Sequence, residues 1–370
     1  MKQELSLYVH IPFCEKKCFY CSFVVSVGQE RRMGDYLKCL REEASRHKGK
    51  TLCSVYFGGG TPTFLSDHQL ESLLAMVVEV FDVGPNIEWS VEANPEHLSK
   101  DKLNILKRYG VNRISLGVQT FNESFLRFLG RNHTRSKAIE AYELIRQAGF
   151  HNVNVDLMFG YPKQTIHELR EDLKEMVRLK SEHMSLYALT VEERSRFFAE
   201  GMKLPQDELV GRFYMEIKDT LERAGFGQYE VSNFALPGHE SRHNIHYWKG
   251  GFYIGLGVGA HSHRFGRRWW NISRLTDYLQ RMEEGQSVEE DSEELTPRQR
   301  FMERILFGLR MNEGVDLRAI ETGLGQALTD EQNKLIETYI QKGLLIERGD
   351  SLQVSDRGRL VLDELCAQLI

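Results

Sequence analysis

The sequence has no apolar run long enough to cross a bilayer and no strong excess of charge of either sign. Its formal net charge is −5 over 370 residues, so the composition predicts no general attraction to nucleic acid. Residues 1–6 show no basic run followed by an apolar stretch, and no secretory signal is predicted. These absences favour a cytoplasmic protein of two or three domains and argue against an integral membrane segment.

Cysteine is also scarce, with six residues in the chain, but three of them are concentrated at Cys14, Cys18 and Cys21. In a reducing compartment, clustered cysteines indicate metal or redox chemistry more than disulfides. Three thiolates would leave one iron of a [4Fe–4S] cluster open to chelate a small molecule. The spacing alone is equally compatible with a zinc site, for which His10 is the nearby candidate for a fourth ligand.

Apolar runs typical of strands alternate with segments of helical spacing throughout the first half of the chain. This pattern predicts parallel βα units of the α/β class. Six units suit a partial (β/α)6 barrel, and an open doubly wound sheet is the alternative. The predicted strands are residues 5–11, 52–57, 87–92, 113–117, 153–159 and 183–188.

Glycine and polar clusters follow the ends of the predicted strands. Ligands bind at the C-terminal ends of parallel strands, so we expect these clusters to form one site. In order along the chain, they are the cysteine run, the run from Gly58 to Gly60 with Thr61, Glu92 with Asn94, Gln119, and Asp156.

This set of residues has the chemistry to bind an amino acid that carries an adenosyl group, chelated to an open iron. Glycines allow close backbone approach because they have no Cβ. Glu92 could bind the ammonium group, and Arg131 could pair with the carboxylate through its planar fork. Gln119 and Asp156 could accept hydrogen bonds from a ribose diol. Taken singly, each residue also has an ordinary explanation as a helix cap or a surface charge.

The second half of the chain changes character. The composition predicts a first domain over residues 1–235, a segment over 236–294 that ends in an acidic, solvated linker, and a C-terminal domain over 295–370. In the last domain, helical patterns precede a hairpin and a final helix, which predicts a smaller α+β, winged-helix-like fold. It carries 10 Lys/Arg and 12 Asp/Glu, so a docking or lid role is favoured over DNA binding.

The run from Tyr8 to Cys14, the glycine run ending at Thr63 and the run from Glu92 to Pro95 resemble the radical SAM superfamily. Within it, they resemble the branch of oxygen-independent coproporphyrinogen III oxidase. The resemblance implies a radical SAM barrel, S-adenosylmethionine (SAM) as cofactor, and a [4Fe–4S] cluster on Cys14, Cys18 and Cys21. The SAM contacts that it implies are Tyr8, Tyr20, Gly59, Gly60, Thr61, Glu92, Gln119, Arg131 and Asp156.

Two departures from the oxidase pattern argue against decarboxylation. Phe23 stands where the oxidase has a further cysteine, and Tyr8 lies near the first residue, whereas the oxidase has a long extension before it. The motif from His243 to Trp248 is similar instead to the heme signature of heme chaperones related to the oxidase. This resemblance implies heme binding through His243, Asn244, Tyr247 and Trp248.

The heme assignment has a structural alternative, because a histidine among aromatic residues is often a hydrogen-bonded core residue. A neutral imidazole is a common axial ligand of heme iron, and the rings of Tyr247 and Trp248 offer flat faces to a porphyrin. His246, His261 and His263 are rival ligands.

The sequence therefore supports two hypotheses from different classes. The first is a heme chaperone that passes heme to acceptor hemoproteins, which the resemblance places in the respiratory chain, with any membrane contact peripheral. The second is a radical SAM enzyme acting on a tetrapyrrole, in which the cluster donates an electron to SAM. No catalytic residue is assigned for either.

Overall fold

The computed structural model describes residues 4–370. Its main sheet has twelve strands, and six parallel strands occupy its middle in the chain order β1 to β6. Helices connect consecutive strands, which confirms the predicted partial (β/α)6 barrel. The parallel strands are β1 (Leu5–Ile11), β2 (Thr51–Gly59), β3 (Asp82–Ala93), β4 (Arg113–Gln119), β5 (Val153–Phe159) and β6 (His183–Ala188).

Several helices of this half begin or end at residues with clear capping roles. Ser66 and Thr165 form capping boxes with Gln69 and Glu168, which satisfy the first free N–H groups of their helices. Gly110, at φ +94°, reverses the chain after a helix and before β4, a conformation that glycine adopts without steric cost. The helices are α1 (Met33–Ser45), α2 (Asp67–Val80), α3 (Lys100–Arg108), α4 (Glu123–Leu129), α5 (Arg135–Gln147) and α6 (Ile166–Leu179).

Residues 196–294 extend the same sheet at both ends. One added strand pairs antiparallel with β6, and another pairs parallel with β1 and begins a three-strand antiparallel extension. The elements are α7 (Arg196–Ala199), α8 (Asp207–Arg223), β7 (Gly227–Gln228), β8 (Asn233–Ala235), α9 (Arg242–Trp248), β9 (Phe252–Leu256), β10 (His261–Arg264), β11 (Arg267–Asn271), α10 (Leu275–Glu283) and β12 (Glu289–Glu294).

The acidic segment, residues 283–294, is mostly exposed as its composition predicts, but part of it is regular structure and not a plain linker. Its second half is the edge strand β12, which pairs antiparallel with β11. Arg268 forms an ion pair with Glu293 at 3.0 Å, and Arg267 pairs with Glu289. The charges that indicate a linker in the sequence are cross-strand partners in the fold. Residues 236–294 also share the barrel's hydrophobic core through Ile254 and Tyr278, so the predicted domain boundaries stay a proposal.

The C-terminal residues form a smaller unit with its own apolar core, centred on Phe301, Ile305 and Leu345. Helices followed by a hairpin confirm the predicted winged-helix-like fold. The chain after the hairpin forms two short helices, where one final helix is predicted, and Gly358 belongs to the first of them. The elements are α11 (Pro297–Gly308), β13 (Val315–Asp316), α12 (Leu317–Leu324), α13 (Asp330–Gln341), β14 (Leu345–Arg348), β15 (Ser351–Val354), α14 (Asp356–Arg359) and α15 (Leu362–Leu369).

The C-terminal unit contacts the barrel through α11 and α9. The ring of Phe307 lies edge-on to Trp248 at 6.2 Å, and the guanidinium of Arg310 lies 5.1 Å from the same indole. This contact brings one face of α11 beside the C-terminal ends of the sheet. Across residues 4–370, none of the helices combines the length and apolar character that a membrane span requires.

Candidate functional site

The three clustered cysteines lie in the loop after β1, on the wall of a cavity of about 570 Å3. We call it the cysteine cavity. The loop is anchored at its base because the backbone N–H of Cys14 donates to Ser26 O at 3.2 Å. A backbone hydrogen bond from Phe19 N to Leu129 O holds its tip. All three thiols are free and half-buried, so the loop presents them together to one space.

At least one pair of these sulfur atoms is too far apart for all three to bind a single metal ion. Among residues 4–370, these three thiols are not a group whose ligand atoms all lie within 4.8 Å of one another. Two thiolates on one zinc ion at about 2.3 Å can be at most about 4.6 Å apart. One zinc ion therefore could not touch all three where they stand, whereas a cluster of several irons suits a wider separation. The donor set of three thiols fits a [4Fe–4S] group.

The glycine run at the end of β2 allows this strand end to approach the cysteine loop and β3 closely. A Cβ on Gly60 would stand 2.8 Å from the carbonyl oxygens of Ile11 and Phe13, and one on Gly58 would stand 2.9 Å from the Glu92 carboxyl. Gly59 adopts φ +108°, a region that favours glycine. The backbone can line the cavity there only because these positions have no side chains.

Glu92, near the end of β3, places a buried carboxylate on the cysteine cavity. Its Oε1 accepts a hydrogen bond from Tyr56 Oη at 2.8 Å, and its Oε2 accepts one from Gly59 N at 3.1 Å. Burial raises the pKa of Glu92 to about 7, and the nearby carboxylate of Asp156 acts in the same direction. Since no cation pairs with it in residues 4–370, this carboxylate has the character required to bind an ammonium group.

Arg131 connects the cysteine loop to β3 and β4. Its Nη1 lies 3.6 Å from Cys18 Sγ, and its Nη2 donates to Asn94 Oδ1 at 2.9 Å and to Gly117 O at 2.8 Å. Asn94 in turn donates to Thr61 Oγ1 at 3.0 Å, which lies 3.6 Å from Cys14 Sγ. Arg131 therefore provides a fixed positive charge beside the thiols, which favours bound thiolates.

Asp156 lines the same cavity, and its hydrogen-bond partners are polar residues that sequence reasoning missed. Its oxygens accept hydrogen bonds from Ser115 Oγ at 3.0 Å and Asn154 Nδ2 at 2.7 Å. Asn154 also contacts the rings and hydroxyls of β6, through His183 Nδ1 at 2.7 Å and Ser185 Oγ at 3.1 Å. These polar residues recur at alternate positions of buried strands, and this period-2 pattern is the signal that could have found them.

The structure brings together almost all the residues that the resemblance implies for SAM. Tyr8 is the exception: it lies on the wall of the neighbouring cavity, which Gly59 and Glu92 also line. The residues on the cysteine cavity are Tyr20, Gly59, Gly60, Thr61, Glu92, Gln119, Arg131 and Asp156.

The neighbouring cavity is larger, about 1100 Å3, and its wall is predominantly apolar. We call it the aromatic cavity, after Tyr247, Trp248, Phe252, Tyr253 and Trp270. It shares Ser22, Phe23, Gly59 and Glu92 with the cysteine cavity, so ligands in the two spaces would be neighbours.

The motif predicted to bind heme lies on α9, whose N-terminus is fixed by Glu88. The Glu88 carboxylate accepts hydrogen bonds from Arg242 N and His243 N, both at 2.9 Å. The structure divides the four predicted heme residues. Tyr247 and Trp248 line the aromatic cavity, Asn244 lines the cysteine cavity, and His243 is on neither wall.

His243 is instead a buried residue between the two spaces, with an exposed fraction of 2%. Its Nδ1 is hydrogen-bonded to Ser54 Oγ at 2.8 Å, and its ring stacks on Tyr56 at 5.1 Å. Burial lowers the pKa of His243 to about 3, so the ring is neutral. Its Nε2 is buried without a partner in residues 4–370. The geometry thus favours the core-histidine alternative over direct contact with a ligand in the aromatic cavity.

Comparison with known proteins was consistent over the whole chain. Residues 8–176 match the radical SAM superfamily, and residues 295–361 match the HemN C-terminal domain. Among solved structures, the coproporphyrinogen III oxidase HemN of Escherichia coli, described as a radical SAM enzyme, superposes with a TM-score of 0.88 at 27% identity. The match covers 99% of this chain and 90% of that one.

Three relatives of similar length share the name heme chaperone HemW. Heme chaperone HemW of Bacillus subtilis is 36% identical over 369 residues, which is 97% of each chain. Heme chaperone HemW of Escherichia coli is 34% identical over 374 residues, or 98% of this chain and 97% of the relative. Heme chaperone HemW of Lactococcus lactis is 35% identical over 97% of this chain. With these identities over nearly its full length, the chain belongs to the HemW heme chaperone family of the radical SAM superfamily.

Proposed function

We propose that this protein binds heme in the aromatic cavity, beside a cluster that chelates SAM, and transfers the heme to acceptor hemoproteins. The observation that carries the proposal is the cavity itself: it is large, predominantly apolar and adjacent to the thiols. Its volume of about 1100 Å3 lies just above the range of roughly 300–1,000 Å3 for pockets that hold drug-sized ligands. The names of the relatives support heme as the cargo.

Membership of the radical SAM superfamily implies SAM and a [4Fe–4S] cluster as cofactors. We assign the cluster to Cys14, Cys18 and Cys21 and the SAM ammonium to Glu92. When bound, the cluster would supply an open iron for chelation and an electron for reduction. The chain's own residues would position SAM: the glycine run provides close backbone approach, and Arg131 provides positive charge.

We assign the heme iron to His261 instead of His243. His261 lies on β10, is exposed to the aromatic cavity, and stacks on Trp270 with ring centroids 5.6 Å apart. Burial lowers its pKa, so the ring is neutral and can donate a lone pair to iron. Within residues 4–370, no hydrogen bond occupies either of its ring nitrogens.

A heme titration of His261→Ala and His243→Ala tests this assignment. His261→Ala should lower heme affinity by about tenfold or more and remove the spectrum of a histidine-ligated iron, because it deletes the ligand. His243→Ala should leave that spectrum unchanged and lower the melting temperature, because it deletes a buried ring. The opposite pattern in the absorption spectra would return the ligand to His243.

An enzyme acting on a tetrapyrrole is the second candidate, and the shared wall of the two cavities favours it. Phe23 lies on this wall, 62% exposed, at the position of the oxidase's further cysteine. Phe23→Cys should yield no protoporphyrinogen IX from coproporphyrinogen III, because it adds one thiol but leaves the three clustered cysteines and the charges of the aromatic cavity unchanged.

The measurement is product analysis after anaerobic cluster reconstitution with SAM and reductant, with wild type as the matched control. Decarboxylation by wild type would contradict the chaperone-only proposal, and a gain by Phe23→Cys alone would contradict this prediction. Analysis of SAM products with and without heme shows in addition whether SAM is cleaved.

We extend the proposal to acceptors in the respiratory chain, reached from the cytoplasm by peripheral contact with the membrane. The support is family resemblance alone. Heme-loaded protein should convert an apo-hemoprotein of the respiratory chain to its holo spectrum faster than an equal concentration of free heme. Equal rates would contradict an active transfer role.

A further inference from the structure

Two arginines of the C-terminal unit, Arg300 and Arg304, face the aromatic cavity from α11. They are four residues apart and therefore lie on the same side of the helix, with Cβ atoms about 5–6 Å apart. Glycines make room for them at opposite parts of the wall. A Cβ on Gly250 would stand 2.8 Å from Arg304 Nη1, and one on Gly266 would stand 3.2 Å from Arg300 Cδ.

Neither guanidinium has a counter-ion. Across residues 4–370, no carboxylate lies within 4.0 Å of either group, and Arg300 Nε is buried without a hydrogen-bond partner. Arg304 is half-buried, and burial lowers its pKa. Removing unpaired cations from water is unfavourable, so this arrangement provides sites for anions that a ligand would bring.

The other charged residues on the wall of the aromatic cavity differ from Arg300 and Arg304. Arg268 also lines the aromatic cavity, but it is neutralised by Glu303 at 2.9 Å and Glu293 at 3.0 Å. Glu92, at the opposite end, is assigned above to an ammonium group. Arg300 and Arg304 are therefore the two arginines on the described wall that have no carboxylate partner.

We propose that Arg300 and Arg304 bind the two propionate carboxylates of heme, one each, so that the C-terminal unit selects the cargo by its charged edge. This inference rests on the proposed function and specifies how that site recognises its ligand. Two free cations match a dicarboxylate such as heme and leave two carboxylates of a coproporphyrin unpaired. Arginine suits the role because its planar fork forms charge-assisted hydrogen bonds with carboxylates.

The test compares heme with heme dimethyl ester, which has the same ring and iron but no propionate charge. Arg300→Gln and Arg304→Gln should each weaken heme binding about tenfold to a hundredfold. Losing one hydrogen bond to a charged group lowers affinity by about this factor. Binding of the ester should already be weaker in wild type and should not fall further in the variants. Arg267→Gln is the matched control. Arg267 lies on β11, pairs with Glu289 and does not line the aromatic cavity.

The outcomes separate this proposal from the proposed function. If wild type binds heme and its ester equally, or if both variants keep wild-type affinity for heme, the carboxylate assignment is overturned while heme binding stands. If wild type does not bind heme at all, the proposed function fails and this inference fails with it. Circular dichroism and the cluster absorbance of each variant identify a folding defect, and each single variant is then judged by its ratio of heme to ester affinity.

Discussion

Replacing Cys18 with serine is expected to abolish assembly of the [4Fe–4S] cluster. Three cysteines provide all the thiolates of the cysteine cavity, and a serine oxygen is a poor substitute for a soft sulfur ligand. Iron and acid-labile sulfide per chain should fall from about four each to near zero after anaerobic reconstitution. Cys14→Ser and Cys21→Ser should give the same result, because each removes one of three ligands.

A matched control is available in the same chain. Cys366 is also a free, half-buried thiol, but it packs against the core of the C-terminal unit. Cys366→Ser should retain the full iron and sulfide content. Retention of iron by Cys18→Ser, or an equal loss in Cys366→Ser, would show that the cluster is not held by the loop after β1.

Heme binding provides a second measurement on the same variants. The iron ligand proposed for heme, His261, and the proposed carboxylate anchors on α11 lie outside the cysteine loop. Heme affinity of the Cys18→Ser variant should therefore stay within a few-fold of wild type. A parallel loss of heme and cluster would mean that the two sites are one functional unit, contrary to the placement of the proposed heme contacts outside the cysteine loop.

Sequence-based prediction succeeds for the strands whose burial imposes a pattern on their residues, and it fails at the edge of the sheet. Strands β1, β5 and β6 have the predicted boundaries because each has a buried apolar residue at every second position, which is the period of a strand. The edge strand β12 was predicted wrongly as linker because its acidic residues are stabilised by arginines of β11, a partner that no local pattern reveals. No element was predicted over the long helix α8.

The site shows the same division. Residues at strand ends, such as Glu92 and Asp156, could be predicted because topology alone brings strand ends together. The aromatic cavity could not, since its walls come from α9, β10, β11 and α11, and their relative placement depends on packing between distant segments. A seven-residue helix such as α9 carries the same motif whichever side faces the cavity, and here His243 faces the interior.

Replacing Glu92 with glutamine is expected to lower SAM affinity by about 100-fold or more. The substitution removes one partner of a buried ion pair, a change that costs about 3–5 kcal/mol when the other charge stays buried. Glu88→Gln is the matched control: Glu88 lies four residues earlier in the same strand, caps α9 and lines neither cavity. The measurement is SAM binding to anaerobically reconstituted protein, and the control should stay within a few-fold of wild type.

The pH dependence of SAM binding follows from the same carboxyl group. Burial raises the pKa of Glu92 to about 7, helped by Asp156, while hydrogen bonds from Tyr56 and Gly59 lower it. Without SAM, the folded protein therefore holds this proton more tightly than the unfolded chain, and the associated stability is lost as pH rises from about 4.5 to about 7. With SAM bound, the ammonium group favours the charged carboxylate. The stability associated with Glu92 then increases as pH rises.

The increase in melting temperature caused by SAM should accordingly grow between about pH 6 and about pH 7.5, below the range where an α-amino group loses its proton. In Glu92→Gln this increase should be small and independent of pH, because the amide does not titrate. Tyr8 and Tyr56 face the same carboxyl group, but burial raises their pKa values well above this range, so neither can produce the effect. An equal pH dependence in wild type and Glu92→Gln would assign the titration, and with it the ammonium contact, to another group such as Asp156, whose pKa burial also raises.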